Sequence, residues 1–280
     1  MQRIMGTNCT LNQWETNSAC WRATSANAAG PFVDAEQIME AFCHNTVPAR
    51  AYDGTILVYH IGYGGSTPVS CSADETLASS LCAHDRSLPW GAPMLLYAPN
   101  VTGPWKQIGP LLEGTPGAWD SVITNASPWV LPNGSVLLAF RGSSPNHTEL
   151  LGVAAAPTWR GPYAKSVDGP IIAQTGEDPF PFVDAAGAYH ILFHDFDDRV
   201  NGGHAFAEAW NGPWQYTAAP AYNLSVSWAP GSAVELPASL ARRERPMMYF
   251  DPASGAPRVL YNGVVPGPSG ASFTMAALVM

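Results

Sequence analysis

One short phrase recurs four times in this 280-residue chain and constrains its fold more than any other feature: Gly30-Pro31-Phe32, Gly103-Pro104-Trp105, Gly161-Pro162-Tyr163 and Gly212-Pro213-Trp214. Each follows an apolar stretch that runs into a polar turn, namely Trp21 to Asn27, Met94 to Asn100, Leu151 to Thr158 and His204 to Trp210. Ahead of three of these phrases, and once more near the C-terminus, two apolar runs flank a glycine-containing turn, which is the pattern of a β-hairpin. The hairpins cover 44–62 turning at Asp53-Gly54, 125–142 turning at Asn133-Gly134, 177–195 turning at Ala186-Gly187, and 244–263 turning at Ser254-Gly255. Asp-Gly and Asn-Gly suit such turns because both central residues need positive φ. Hairpin, third strand, Gly-Pro-aromatic turn and a connecting strand make one four-stranded antiparallel unit of about 50 residues, the size of a propeller blade.

The expected fold is therefore all-β: a five-bladed β-propeller with four-stranded antiparallel blades and a truncated first blade, in a single domain over residues 1–280. The blades are expected at 1–36 (a remnant), 40–110, 120–168, 175–220 and 242–280. The first is a remnant because Trp21 to Phe32 supplies a third strand and its turn with no hairpin before them. Arg3-Ile4-Met5-Gly6 occupies the end of a second strand, and strand one is missing from the sequence. A sandwich of two sheets is the alternative, but sandwiches do not repeat a unit of this length.

Composition agrees and narrows the function. Charged residues make up only 12%, while 26 Gly and 26 Pro punctuate the chain, as many short strands require. A net charge of -9 with 13 Lys and Arg lacks the basic surface that nucleic acid demands. No apolar run is long enough to span a bilayer, and Met1 to Thr10 carries no apolar signal core. Six Asn-x-Ser/Thr acceptors, at Asn8, Asn100, Asn125, Asn133, Asn146 and Asn223, nevertheless lean towards a secreted or lumenal glycoprotein. The five cysteines, Cys9, Cys20, Cys43, Cys71 and Cys82, lack the paired spacing of a zinc site. Disulfides fit better than a metal: Cys71 and Cys82 can close a loop and Cys9 can reach Cys20, but the odd count leaves one thiol over and the connectivity open, and buried free thiols are the alternative. Nothing in the sequence fixes an oligomeric state.

In a propeller the innermost strand of each blade starts at one mouth of the central channel, and its partner returns to that mouth. Counting from the turn glycines puts His44, Thr124 and Glu177 in one ring and Asn45, Asn125 and Asp178 in the next. One extra residue in the last turn shifts Glu244 and Arg245 into these places. The returning strands bring Ile61, Arg141, His194 and Asn262, with His60 and Asp195 adjacent. A polar ring of this kind suits a hydroxyl-rich ligand, so carbohydrate is the expected partner. Taken singly, each of these residues has a plainer reading as a turn former or a structural histidine. Glu177 and Asp178 differ, since adjacent strand residues point to opposite sides and one carboxylate can face the channel while the other pairs with a neighbour. Trp14, ahead of Asn17-Ser18, is the candidate platform for a sugar ring, with packing between blades as its alternative. Trp119 and Trp228 also stand outside the repeated phrases, whose own aromatics are expected to be structural.

Glu177-Asp178-Pro179-Phe180 followed by Tyr189-His190-Ile191-Leu192 resembles the fourth blade of glycoside hydrolase family 43. The stretch from Ala23 to Phe32 resembles the third-strand ending of that clan and of the invertases. The resemblance implies hydrolysis of glycosidic bonds by carboxylate acid/base catalysis, with Glu177 as general acid and Asp178, His194 and Arg141 placing the sugar. Glu244-Arg245-Pro246 repeats the motif and makes Glu244 a competitor for an active-site role. Two departures stand out: the first-blade aspartate that acts as base in that family lies on a strand the sequence lacks, and the third-blade position reads Asn125-Ala126-Ser127-Pro128. Weak or absent turnover is the expectation, and a carbohydrate-binding propeller without catalysis is the alternative. A scaffold for protein partners is a third reading. No cofactor is expected and no metal ligand set is visible, although the resemblance allows a structural calcium ion in the channel.

Overall fold

A computed structural model describes residues 2–5, 9, 13–65, 68, 70, 91–166, 169–197, 201–229, 238–267 and 272–279. Five antiparallel sheets follow one another along the chain and are arranged as a β-propeller. The first holds β1 (Gln2–Ile4), β2 (Ser18–Thr24) and β3 (Val33–Met39), with the short helix α1 (Trp14–Asn17) leading into β2. In the second are β4 (His44–Arg50), β5 (Ile56–Ile61), β6 (Pro93–Ala98) and β7 (Lys106–Ile108). β8 (Val122–Val130), β9 (Val136–Ser143), β10 (Glu149–Ala156) and β11 (Ala164–Lys165) form the third. The fourth comprises β12 (Gly176–Val183), β13 (Tyr189–Asp195), β14 (Asn201–Ala207), β15 (Gln215–Tyr216) and β16 (Tyr222–Asn223). β17 (Arg242–Phe250), β18 (Pro257–Val265) and β19 (Phe273–Leu278) make the last. β1 pairs with β2 where the other sheets place their second strand, and among the described residues no strand lies inside it.

The core lies between sheets, and the period-two alternation of strand side chains shows why. Along β9, Leu138 and Phe140 pack with Leu57, Tyr59 and Leu95 of the second sheet. Leu137 and Ala139, one residue out of phase, pack with Ile191, Phe193 and Ala205 of the fourth. A sheet covered on both faces has no position for a polar residue in its middle, so Val136 to Phe140 is apolar without a break and buried throughout. Each fully buried leucine of this kind stabilises the fold by about 1.5–3 kcal/mol. A smaller cluster, Leu192, Tyr222 and Leu260 with Phe182 and Met248, joins the fourth sheet to the last.

The hairpin turns and the Gly-Pro-aromatic turns lie together at the face of the propeller away from the start of the inner strands. Gly30, Gly103, Gly161 and Gly212 all adopt φ between +88° and +94°, which only glycine takes without cost. The aromatic that follows is structural in the third and fourth sheets: Tyr163 packs into the core and meets the Tyr59 hydroxyl at 2.7 Å, and Trp214 packs against the fourth-sheet cluster. Phe32 departs from that expectation; it is 52% exposed, with its ring 6.4 Å from that of Tyr261 between centroids.

Two expectations are corrected here. Cys20 bonds to Cys43, with 5.5 Å between their Cα atoms, and Cys9 is itself disulfide-bonded, so Cys9 does not pair with Cys20. The reason is sheet neighbourhood: the Cys43 amide donates to the Ser18 carbonyl at 2.8 Å, which lays the entry to β4 beside β2. Cys71 and Cys82 lie outside the described residues. In the last sheet Glu244 stands opposite Gly263, not Asn262. The reason is a bulge on the returning strand: Phe250 stands opposite Pro257 and Tyr249 opposite Val259, so Arg258 is skipped and everything after it moves on by one residue.

Candidate functional site

Every inner strand from the second sheet to the last begins with the same irregularity. Pairing jumps from His44 to Val47, from Thr124 to Ser127, from Glu177 to Phe180 and from Glu244 to Met247. The first residue of each bulge is left-handed: Asn45 at φ 49°, Asn125 at 50°, Asp178 at 53° and Arg245 at 53°. A bulge bends the strand and re-aims its side chains. Glu177 and Asp178 therefore do not diverge as adjacent strand residues should. A donor atom from each of Glu177, Asp178, His194 and Glu244 lies within 4.8 Å of the others.

Three guanidinium groups hold this cluster together. Arg141 Nη1 donates to Glu177 Oε2 at 2.7 Å and lies 3.0 Å from Glu149, while its Nε donates to Thr124 Oγ1 at 2.8 Å. Arg242 pairs with Glu244 and reaches Glu177 at 3.7 Å. Arg245 pairs with Glu244, donates from Nε to Asn45 Oδ1 at 2.9 Å, and lies 3.9 Å from Asp178. Asn125 Nδ2 donates to Asp178 Oδ1 at 2.7 Å, and His194 Nδ1 stands 3.5 Å from Glu177 Oε1.

The two adjacent carboxyls are driven apart. Burial works against ionisation of Glu177, but His194, Arg141 and Arg245 outweigh it and hold the carboxyl below its ordinary range. Burial, and then the negative charge of Glu177, pushes Asp178 the other way against the pull of Arg245. Asp178 is thus a protonated acid under conditions where Glu177 is charged. His44, buried and facing the charges of Arg245 and Arg141, is kept well below the usual imidazole range and is neutral. Its Nδ1 meets Ser18 Oγ at 2.7 Å, and its ring lies 4.8 Å from that of Trp14.

These four residues are also the candidate metal ligands among the described residues. Asp178 Oδ2 is buried without a hydrogen-bond partner, its nearest cation being Arg245 Nε at 3.9 Å. The set does not fit the calcium ion that the resemblance allows. Calcium takes about six to eight oxygens with uncompensated charge, whereas here Arg141, Arg242 and Arg245 already neutralise the carboxylates.

Comparison with solved structures finds the same architecture. A family 117 glycoside hydrolase from the marine bacterium Zobellia galactanivorans superposes with a TM-score of 0.60 at 18% identity, covering 94% of this chain and 70% of that one. The RS223 β-xylosidase gives 0.56 at 13% identity, with 85% and 75% covered. A family 43 enzyme of Xanthomonas citri in complex with xylose gives 0.50 at 13% identity, with 83% and 73% covered. The fold is shared with propeller glycoside hydrolases. No protein-family model and no curated protein matches the sequence.

Of the residues expected at the mouth, the structure brings together Glu177, Asp178, His194, Glu244, Arg245, Arg141, Asn125 and Asn45, with His44 and Trp14 beside them. Three others stand apart. Asp195 accepts from the Tyr216 hydroxyl at 2.9 Å and faces the outer strands of its own sheet. Asn262 bridges Arg243 Nε and the Glu244 carbonyl, bracing the last bulge. His60 is buried with Nδ1 3.3 Å from the Ile61 carbonyl. Trp119 stacks on Phe140, and Trp228 lies against Phe273. Arg242 and Glu149 join the site without having been singled out. The run Arg242-Arg243-Glu244-Arg245, rare in a chain only 12% charged, was a signal for the first; a single Glu at a strand start gave none for the second.

Proposed function

We propose that the mouth binds carbohydrate and that the chain is a glycoside hydrolase of the propeller type, with Glu177 and Asp178 as its central carboxyl pair. The observation that carries this reading is the pair itself: neighbouring carboxyls from one bulge, one held ionised by Arg141 and His194, the other kept protonated by burial. Divergent carboxyl groups are what acid/base chemistry requires. A general acid must hold its proton at working pH, so Asp178 takes the donor role and Glu177 the charged one, a reversal of what the family resemblance implies. Trp14, half-buried over His44, offers an apolar face to a sugar ring. That the structural neighbours are themselves named as glycosidases supports the substrate class.

A specific observation favours a second reading, carbohydrate binding without turnover. An inverting hydrolase keeps its two carboxyls about 6.5 to 9.5 Å apart to admit a water. Here Glu177, Asp178 and Glu244 crowd within 4.8 Å, and Asn125 fills the position where a further acid is expected. Reducing-sugar release from arabinan, xylan and galactan, run beside calorimetric titration with the matching oligosaccharides, separates the readings. Release that falls at least a hundredfold in both Glu177→Gln and Asp178→Asn supports hydrolysis. Saturable binding without release selects the second reading, and neither binding nor release overturns both.

A further inference from the structure

The six Asn-x-Ser/Thr acceptors are equivalent in sequence, and the fold makes them unequal. Asn8 lies outside the described residues. Asn125 is buried at the bottom of the mouth, and its Nδ2 is committed to Asp178 at 2.7 Å. Asn223 is exposed, but it belongs to β16, where it pairs with Asn201 and its carbonyl holds Arg243 Nη1 at 2.9 Å. Asn146 is exposed in the loop between β9 and β10, on the mouth side.

Asn223 Oδ1 accepts from the Ser225 amide at 2.9 Å, and at Asn100 and Asn133 the acceptor hydroxyl joins the same kind of turn. Asn100 Oδ1 accepts from the Thr102 amide at 2.9 Å and from the Thr102 hydroxyl at 2.5 Å. Asn133 Oδ1 accepts from the Ser135 amide at 3.0 Å and from the Ser135 hydroxyl at 2.6 Å. In both, a tight turn closed by the asparagine side chain gathers the acceptor amide and the required hydroxyl into one exposed unit. Both Nδ2 groups are left outside the turn's hydrogen bonds, available to a reagent. Both residues sit at the turn face, after β6 and between β8 and β9, so a bulky group there leaves the polar mouth open. The Cys20–Cys43 disulfide points independently to passage through an oxidising compartment, where oligosaccharide transfer takes place.

We propose that Asn100 and Asn133 are N-glycosylation sites, modified from an oligosaccharyl polyprenyl diphosphate. In that transfer Nδ2 bonds to the anomeric carbon of the sugar. The bond from that carbon to the diphosphate oxygen breaks, and its electron pair leaves with the polyprenyl diphosphate. The amide nitrogen gives one proton to a base of the transferase. The inference is independent of the proposed activity.

The test is expression of the full chain behind a secretion leader in yeast, with peptide mapping by mass spectrometry before and after peptide N-glycosidase treatment. Material retained inside the cell is mapped in the same way as exported protein, so a failure of export still gives an answer. The expected result is sugar on Asn100 and Asn133, with one glycan lost in each of Asn100→Gln and Asn133→Gln and both lost in the double variant. Unmodified Asn100 and Asn133 in chain that has entered the secretory pathway would overturn the proposal. Occupancy of Asn125 would do so equally, because it would show that burial and turn geometry do not govern acceptance.

Discussion

Replacing Asp178 by Asn should stabilise this protein above neutral pH and leave it unchanged in acid. The carboxyl is 7% exposed, and burial together with the charge on Glu177 raises it from 3.8 to about 7. Because the folded chain binds this proton more tightly than the unfolded chain, the associated stability is fully present below pH 3.8 and is lost as pH rises through 7. A rise of roughly three pH units, at about 1.4 kcal/mol each, sets a ceiling of about 4 kcal/mol on the cost of ionising Asp178. Glu177 expresses part of the same repulsion from its own side, so about 2 kcal/mol is the expected gain for the variant at pH 8. Asn keeps an oxygen for the Asn125 amide and cannot ionise. Urea unfolding at pH 4, 6 and 8 reads the effect directly, and in a chain of this size 2 kcal/mol corresponds to about 4 °C in Tm. Wild type and variant falling in parallel from pH 4 to 8 would refute the reasoning, as would a variant that is the less stable of the two at pH 8.

Three further outcomes follow from the same contacts. Arg141→Met removes the cation shared by Glu177 and Glu149, leaves Glu177 to His194 and the more distant Arg242, and should cost about 3 kcal/mol in urea unfolding at pH 7. Gly203→Ala puts a methyl 2.2 Å from Phe193 Cζ, on a ring with no exposure. Displacing that ring should cost about 3 kcal/mol or more, and an unchanged melting temperature would count against the packing described between the third and fourth sheets. Burial lowers His60 from 6.5 to about 4, so the unfolded chain takes up its proton first, and stability falls as pH drops through that window. About 2.5 pH units at about 1.4 kcal/mol each amount to about 3.5 kcal/mol, which His60→Gln should remove from the acid limb of the stability profile.

Much of the fold is legible because its punctuation is chemical. A left-handed turn position demands glycine or asparagine, and each inter-sheet core demands an uninterrupted apolar run, so hairpins and third strands can be located from these residues alone. The ring at the mouth is legible for a related reason: the distance from turn glycine back to the bulge is the same in the second, third and fourth sheets, and counting it lands on His44, Thr124 and Glu177. The count holds for Glu244 and Arg245 but fails on the returning strand of the last sheet, where Arg258 is skipped and Gly263 replaces Asn262 opposite Glu244, a slip that the local pattern does not mark. The Cys20–Cys43 bond and the roles of Arg242 and Glu149 depend on which strands lie side by side, which no local spacing encodes.

The bulges are the least legible feature and have the largest effect on the site. Asn45, Asn125 and Asp178 tolerate left-handed backbone because a short polar side chain can bond locally. Arg245 has no such excuse at φ 53°, a conformation that costs a residue of its kind roughly 1–2 kcal/mol. Such a residue persists when its surroundings over-determine it, and here they do. The guanidinium group is anchored on Glu244 and reaches from the last sheet to Asn45 of the second, across the sector of the first sheet, where no described strand lies inside β1. The polar ring is therefore closed by a side chain in the sector where, among the described residues, no strand lies inside β1. Shortening that side chain should loosen the last sheet against the second before it disturbs the bulges of the third and fourth.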